Sequence, residues 1–154
     1  KGVNMIILGL LIFTVNASDP KVSSWKSTPD ILLCSDSSVN IKDLSIAIDF
    51  WEQRGFRFGK ISKEDNCDDY HRGYIKFIGD EDLESGYLGM TEIYEYGNQH
   101  KTIASAYIEI SDRQSDNLIL LAHELGHSLG YNHGHNKNSV MYSNIKQVNI
   151  KIRR

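Results

Sequence analysis

A chain of 154 residues can hold one domain with a full hydrophobic core and is too short for two. Its 40% apolar and 24% charged residues are those of a folded globular protein and exclude wholesale disorder. A net charge of −3 offers no broad basic face, so a nucleic-acid partner is not expected.

Lys1 precedes an apolar run from Met5 to Val15, and Val15-Asn16-Ala17 forms a small-residue cleavage site. Residues 1–17 therefore read as a signal peptide cut after Ala17, which makes the protein secreted, either extracellular or periplasmic. The run falls short of the roughly 20 apolar residues that cross a bilayer, so no stable membrane anchor is expected. A buried N-terminal strand or helix is the plain alternative. With no Met before Lys1, translation is expected to start upstream or at Met5. Residues 18–29, SDPKVSSWKSTP, are polar, contain both prolines and read as a leader into a domain over 30–154.

Ile31-Leu32-Leu33-Cys34 is a short apolar run that suits a buried strand. Asn40 opens a helix, with Asp43 placed to bond back to the first amides, and Gly55 stops it. Ile41, Leu44, Ile48 and Trp51 recur at helical spacing, with Ala47 and Phe50 widening the stripe. Phe56–Ile61 alternates as a strand, residues 63–72 form a polar loop, and Tyr74–Ile78 is a further strand. Asp80, Glu81, Asp82 and Glu84 make an acidic loop. It reads as a solvated run, with calcium binding the weaker alternative because no EF-hand spacing is present. Strands near Leu88–Tyr96 and Thr102–Ile110 follow, joined at Gly97-Asn98, and Ala104, Ala106, Ile108 and Ile110 share one face of the second. Strands and one helix ahead of a second helix give an α+β layout.

Cys34 and Cys67 are the two cysteines, and both lie in the exported part. An even count outside the cytosol favours a disulfide closing a loop of about 34 residues, worth about 3–4 kcal/mol. Two buried free thiols, or a thiolate metal ligand, are the alternatives.

Residues 123–142, HELGHSLGYNHGHNKNSVMY, hold four of the chain's six histidines. Ser111 and Gln114 form a capping box for the preceding helix, and Leu118, Leu121, Leu125 and Leu129 line its apolar face. His123 and His127, four residues apart, stand on adjacent turns and can reach one cation. Gly130 can take the left-handed conformation that ends a helix and turns the chain, bringing His133 back as a third ligand. Three imidazoles leave a zinc ion one position for water, as catalytic sites do. Glu124, beside His123, can act as the general base on that water, which leads to peptide-bond hydrolysis without a covalent intermediate.

His123-Glu124-Leu-Gly-His127-Ser-Leu-Gly130-Tyr-Asn-His133, followed by Ser139-Val140-Met141-Tyr142, resembles the metzincin zinc peptidases and within them is most similar to the matrixins. The specific match is confined to 123–142; a looser one extends upstream to Asp30. The resemblance implies a mixed, mostly parallel twisted sheet with an antiparallel edge strand. That sheet would pack on an active-site helix and a second long helix, with a short segment after a Met-turn. It implies one catalytic Zn2+ on His123, His127 and His133, Glu124 as general base, Met141 as the hydrophobic floor, and Tyr142 and the residues after it as a substrate-pocket wall. An extended protein or peptide substrate would lie along Leu88–Tyr96, and a monomer is expected.

Some residues depart from the family pattern. Leu33-Cys34-Ser35 lacks the flanks of an inhibitory cysteine switch, and no propeptide of useful length lies between Ala17 and Asp30. His71 and His100 lack the H-x-D context of a second, structural zinc site and read as surface residues, while His135 is out of register with the motif. A short C-terminal helix is expected on Ile145, Val148 and Ile152, although Val148, Ile150 and Ile152 also alternate as a strand would. The rival readings are a non-catalytic zinc-binding module that keeps the fold, and a zinc hydrolase of another bond. Binding alone gives no reason to keep Glu124.

Overall fold

A computed structural model describes residues 19–65, 67, 72–79, 83, 86–97 and 99–152, without the side chains of Gln99 and His100. The expected signal segment, the acidic loop at 80–84 except Leu83, and His71 lie outside the described residues. The strands are β1 (Ser24–Trp25), β2 (Asp30–Cys34), β3 (Ile61–Glu64), β4 (Tyr74–Ile78), β5 (Gly89–Tyr96) and β6 (Gln99–Ile110); the helices are α1 (Ile41–Glu52) and α2 (Leu118–Ser128). The strands form one sheet in the order β1-β6-β4-β2-β3, with β5 also on β6. All pairs are parallel except β5 with β6. A strand has two edges. β4 and β1 take successive stretches of one edge of β6, at residues 106–109 and 102–103, so β5 holds the other.

Parallel sheets bury both faces, which explains why β2 is a continuous apolar run and not an alternation: Ile31 to Cys34 are all buried. On one face, Ile31, Leu33, Ile75, Phe77, Ala106, Ile108 and Ile110 meet Leu44, Ala47, Ile48 and Trp51 of α1 and Leu121 and Leu125 of α2. Trp51 is central. It is wholly buried, and its Nε1–H donates to Ala122 O of α2 at 2.7 Å, which ties the two helices together. Asn40 caps α1 as expected, its side chain accepting from Asp43 N at 2.9 Å, whereas Ile41 at the head of the stripe is exposed. No helix among the described residues is long and apolar enough to cross a membrane.

Three expectations need correction. Phe56–Lys60 is not a strand; β3 begins at Ile61. Gly59 N bonds to Pro29 O and Lys60 N to the Asp30 carboxylate, so this backbone is spent on the start of β2 and not on a ladder. Phe56 and Phe58 still pack on the core, which is why the stretch alternates. Ser111 opens only a 3-10 turn over Asp112–Gln114, without a side-chain cap. α2 starts at Leu118 under Asn117, which accepts from Leu120 N at 3.2 Å and whose own amide is held by Gln114 at 2.9 Å. The C-terminal helix is reduced to a 3-10 turn at Ile145–Gln147, beyond which Ile150 and Ile152 dock singly against the core. The favoured disulfide between Cys34 and Cys67 is formed, which removes both alternatives, free thiols and a thiolate metal ligand.

The polar stretch before Asp30 is tied to the domain at several points. β1 pairs with β6, and Trp25 Nε1–H donates to Ser128 O at 2.8 Å. Val22 N donates to Gly130 O, and Asn132 N to Pro20 O, each at 2.8 Å. This strap lies along the segment that follows α2.

Candidate metal centre

The site is built on the last two turns of α2. His123 and His127 project from adjacent turns, with the helix pinned to the core by Leu120, Leu121 and Leu125. The helix ends in a Schellman motif: Gly130 N donates to His127 O at 2.8 Å and Tyr131 N to Gly126 O at 3.1 Å. Gly130 has φ +92, and a β-carbon there would also run into the backbone of Ser23, so both handedness and close approach require glycine. Tyr131 then stacks on Trp51 with ring centroids 5.5 Å apart, which fixes the carbonyl that accepts from His127 Nδ1 at 2.7 Å.

Residues 139–142 complete the support. Val140 O accepts from His123 Nδ1 at 2.7 Å. Met141 O accepts from Gly134 N at 2.8 Å, next to His133, and Met141 N donates to Ser139 Oγ at 3.0 Å. Ser139 Oγ–H in turn donates to the buried carboxylate of Asp19 on the strap. The Met141 side chain is fully buried against Gly126 of α2.

These supports bring the three Nε2 atoms together: His123 to His127 at 3.1 Å, His127 to His133 at 3.1 Å and His123 to His133 at 3.2 Å. Carbonyls only accept, so Nδ1 of His123 and of His127 must carry the ring hydrogen, leaving both Nε2 as bare lone pairs. Burial pushes His123 down to about 4, against the hydrogen bond to Val140, and the neighbouring imidazoles push the same way. Burial lowers His127 as well. The rings of His123 and His127 are thus held neutral, the form that binds metal.

Converging lone pairs repel one another unless a cation lies between them. Zn–N bonds of 2.0–2.1 Å at tetrahedral angles put nitrogens about 3.3 Å apart, close to the spacing here. The residues fit a zinc ion. Among the described residues this is the one group of three or more potential ligand side chains close enough to share a metal.

Glu124 lies beside the triad, 4% exposed, its Oε2 2.6 Å from Thr91 Oγ1 on β5. Burial raises its carboxyl to about 7, while the Thr91 hydrogen bond works in the opposite direction. A cleft of about 720 Å³ opens over these groups. Gly89, Met90, Thr91 and Ile93 of β5 line one side, and Ser143, Asn144, Ile145 and Lys146 the other. Tyr142 is half-buried and bridges to Gly134 through its backbone. His135 is exposed and lies outside the triad.

Thr91, Gly126 and Asp19 were not anticipated from the sequence. A glycine inside an otherwise good helix was a usable signal for Gly126; nothing local marked the other two.

A mostly parallel sheet backed by a helix that carries two imidazoles of a zinc-spaced triad, the third arriving beyond its end, with an acid alongside and an open cleft above, is a fold and site of the zinc-peptidase kind. The family model described as Matrixin, of peptidase family M10, matches residues 37–153, and the chain belongs to the matrixins. A search of curated proteins returned no match.

Proposed function

We propose that this chain is a secreted zinc-dependent endopeptidase. The observation that carries the reading is the trio of Nε2 atoms at 3.1–3.2 Å with the buried Glu124 carboxyl beside them in an open cleft. His123, His127 and His133 hold the ion, Met141 forms the apolar floor behind the helix, and Gly130 turns the chain so that the third ligand arrives. Zinc, when bound, supplies Lewis acidity that polarises a carbonyl and acidifies water.

The chain's own groups do the rest. β5 pairs on one side with β6, and its cleft-lining residues suit an extended peptide added as a further strand. Glu124 takes a proton from water as its oxygen bonds to the scissile carbon, then delivers that proton to the nitrogen as the C–N bond breaks. A carboxyl raised by burial toward neutrality serves both transfers. The wall at Ser143–Lys146 would contact the side chain beyond the scissile bond. Residues 1–17 would direct export, for which the Cys34–Cys67 disulfide is chemically suited, and the domain would act as a monomer on residues 30–154, with the strap before it.

The test compares the parent with Glu124→Ala. Both should bind about one zinc per chain, while casein or peptide cleavage falls by at least about two orders of magnitude in the variant. Equal cleavage by both overturns the mechanism. A zinc-loaded parent that cleaves nothing favours a binding module.

A further inference from the structure

Two residues of β5 face Glu124, and they meet it differently. Gly89 faces its side chain: a β-carbon there would stand 3.1 Å from both Glu124 Cγ and Glu124 Oε1. Two residues on, and so on the same face of the strand, Thr91 places its hydroxyl 2.6 Å from Glu124 Oε2, with the backbone oxygen of Glu124 farther away at 3.2 Å. Thr91 carries one hydroxyl hydrogen, and the shorter approach to a carboxylate oxygen claims it. The two carboxylate oxygens are therefore inequivalent. Oε2 is engaged by the strand, and Oε1 lies over the space a glycine leaves open.

We propose that Thr91 is a positioning residue for Glu124. By engaging Oε2 it fixes the carboxylate rotamer and leaves Oε1 as the oxygen that takes and returns the proton. The inference rests on the reading of Glu124 as general base. Its further content is a link between substrate and base. β5 holds Gly89 and Thr91, and the same strand is the one along which an extended peptide would lie. Its register is set by β6, Gly89 opposite Ile110 and Thr91 opposite Ile108. Peptide and carboxylate are then both referenced to one strand, and the proton-transfer distance follows from its geometry. A partner of this kind is worth about ten- to a hundredfold in activity when removed.

The experiment uses three zinc-loaded proteins with measured metal content: the parent, Thr91→Val, which swaps the hydroxyl for a methyl of the same shape, and Thr91→Ser, which keeps the hydroxyl. Thr91→Val should lose about ten- to a hundredfold in kcat on a peptide substrate, with KM within about twofold and zinc retained. Thr91→Ser should recover most of the loss, and crystals should show the Glu124 carboxylate displaced in the Val variant alone. Turnover in Thr91→Val equal to an active parent, or equal losses in Val and Ser, overturns the inference and leaves the peptidase reading intact. A zinc-loaded parent with no activity overturns the peptidase reading, and the inference with it.

Discussion

Gly126 lies inside α2, between Leu125 and His127, where helix propensity alone makes alanine better by about 1 kcal/mol. The packing reverses that sign. A β-carbon at 126 would stand 2.6 Å from Trp51 Cζ2 and would collide with Met141 Sδ, and both side chains are fully buried. The Trp51 ring cannot swing aside without stretching its 2.7 Å bond to Ala122 O and lifting off Tyr131. That bond contributes about 1 kcal/mol, and overpacking a closed core costs about 1–3 kcal/mol. After the propensity gain is set against these, Gly126→Ala should be destabilised by about 1–3 kcal/mol, lowering Tm by about 4 °C for each. Urea unfolding of the metal-free protein measures the effect directly. Met141→Ala should cost less in the Gly126→Ala background than in the parent, because the first change relieves the clash of the second. Equal or higher stability in Gly126→Ala, or strict additivity of the pair, would refute the reasoning.

In metal-free protein, Glu124 has a folded pKa raised to about 7 from 4.5, so its contribution to stability is fully present below about 4.5 and lost as pH rises through 7. Glu124→Gln cannot titrate, and its stability relative to the parent should rise by on the order of 3 kcal/mol from pH 4.5 to pH 8; urea midpoints that stay parallel across this range would count against a buried carboxylate. Ser139→Ala breaks the Asp19–Ser139–Met141 chain and strands a buried carboxylate, so it should destabilise the domain by about 1–3 kcal/mol and weaken zinc binding, as competition with a chelator can show. Replacing Cys34 and Cys67 by alanine opens a loop of sequence separation 33 and should lower unfolding free energy by about 3–4 kcal/mol in urea, with zinc content unchanged.

The parts of the site that could be read from the chain are those written in local spacing. His123, His127 and Gly130 are fixed by one helix and its end, so a period of 3.6 and the chirality of glycine suffice to place them. β2 was legible because a doubly buried strand is a bounded apolar run. One misreading comes from a backbone satisfied by distant partners, another from a residue that supports a neighbouring cap without being one. Phe56–Lys60 alternates but bonds to Pro29 and Asp30, and Ser111-x-x-Gln114 fits a cap but supports the real one at Asn117. Thr91 meets Glu124 across 33 residues and Asp19 meets Ser139 across 120, separations that no sequence period encodes.

Zinc K-edge X-ray absorption on the loaded protein tests the central claim most directly. Three imidazole nitrogens on one ion, and one light oxygen scatterer from solvent, is the first shell the structure predicts. A fourth nitrogen from His135, a sulfur scatterer, or fewer than three imidazoles would contradict it.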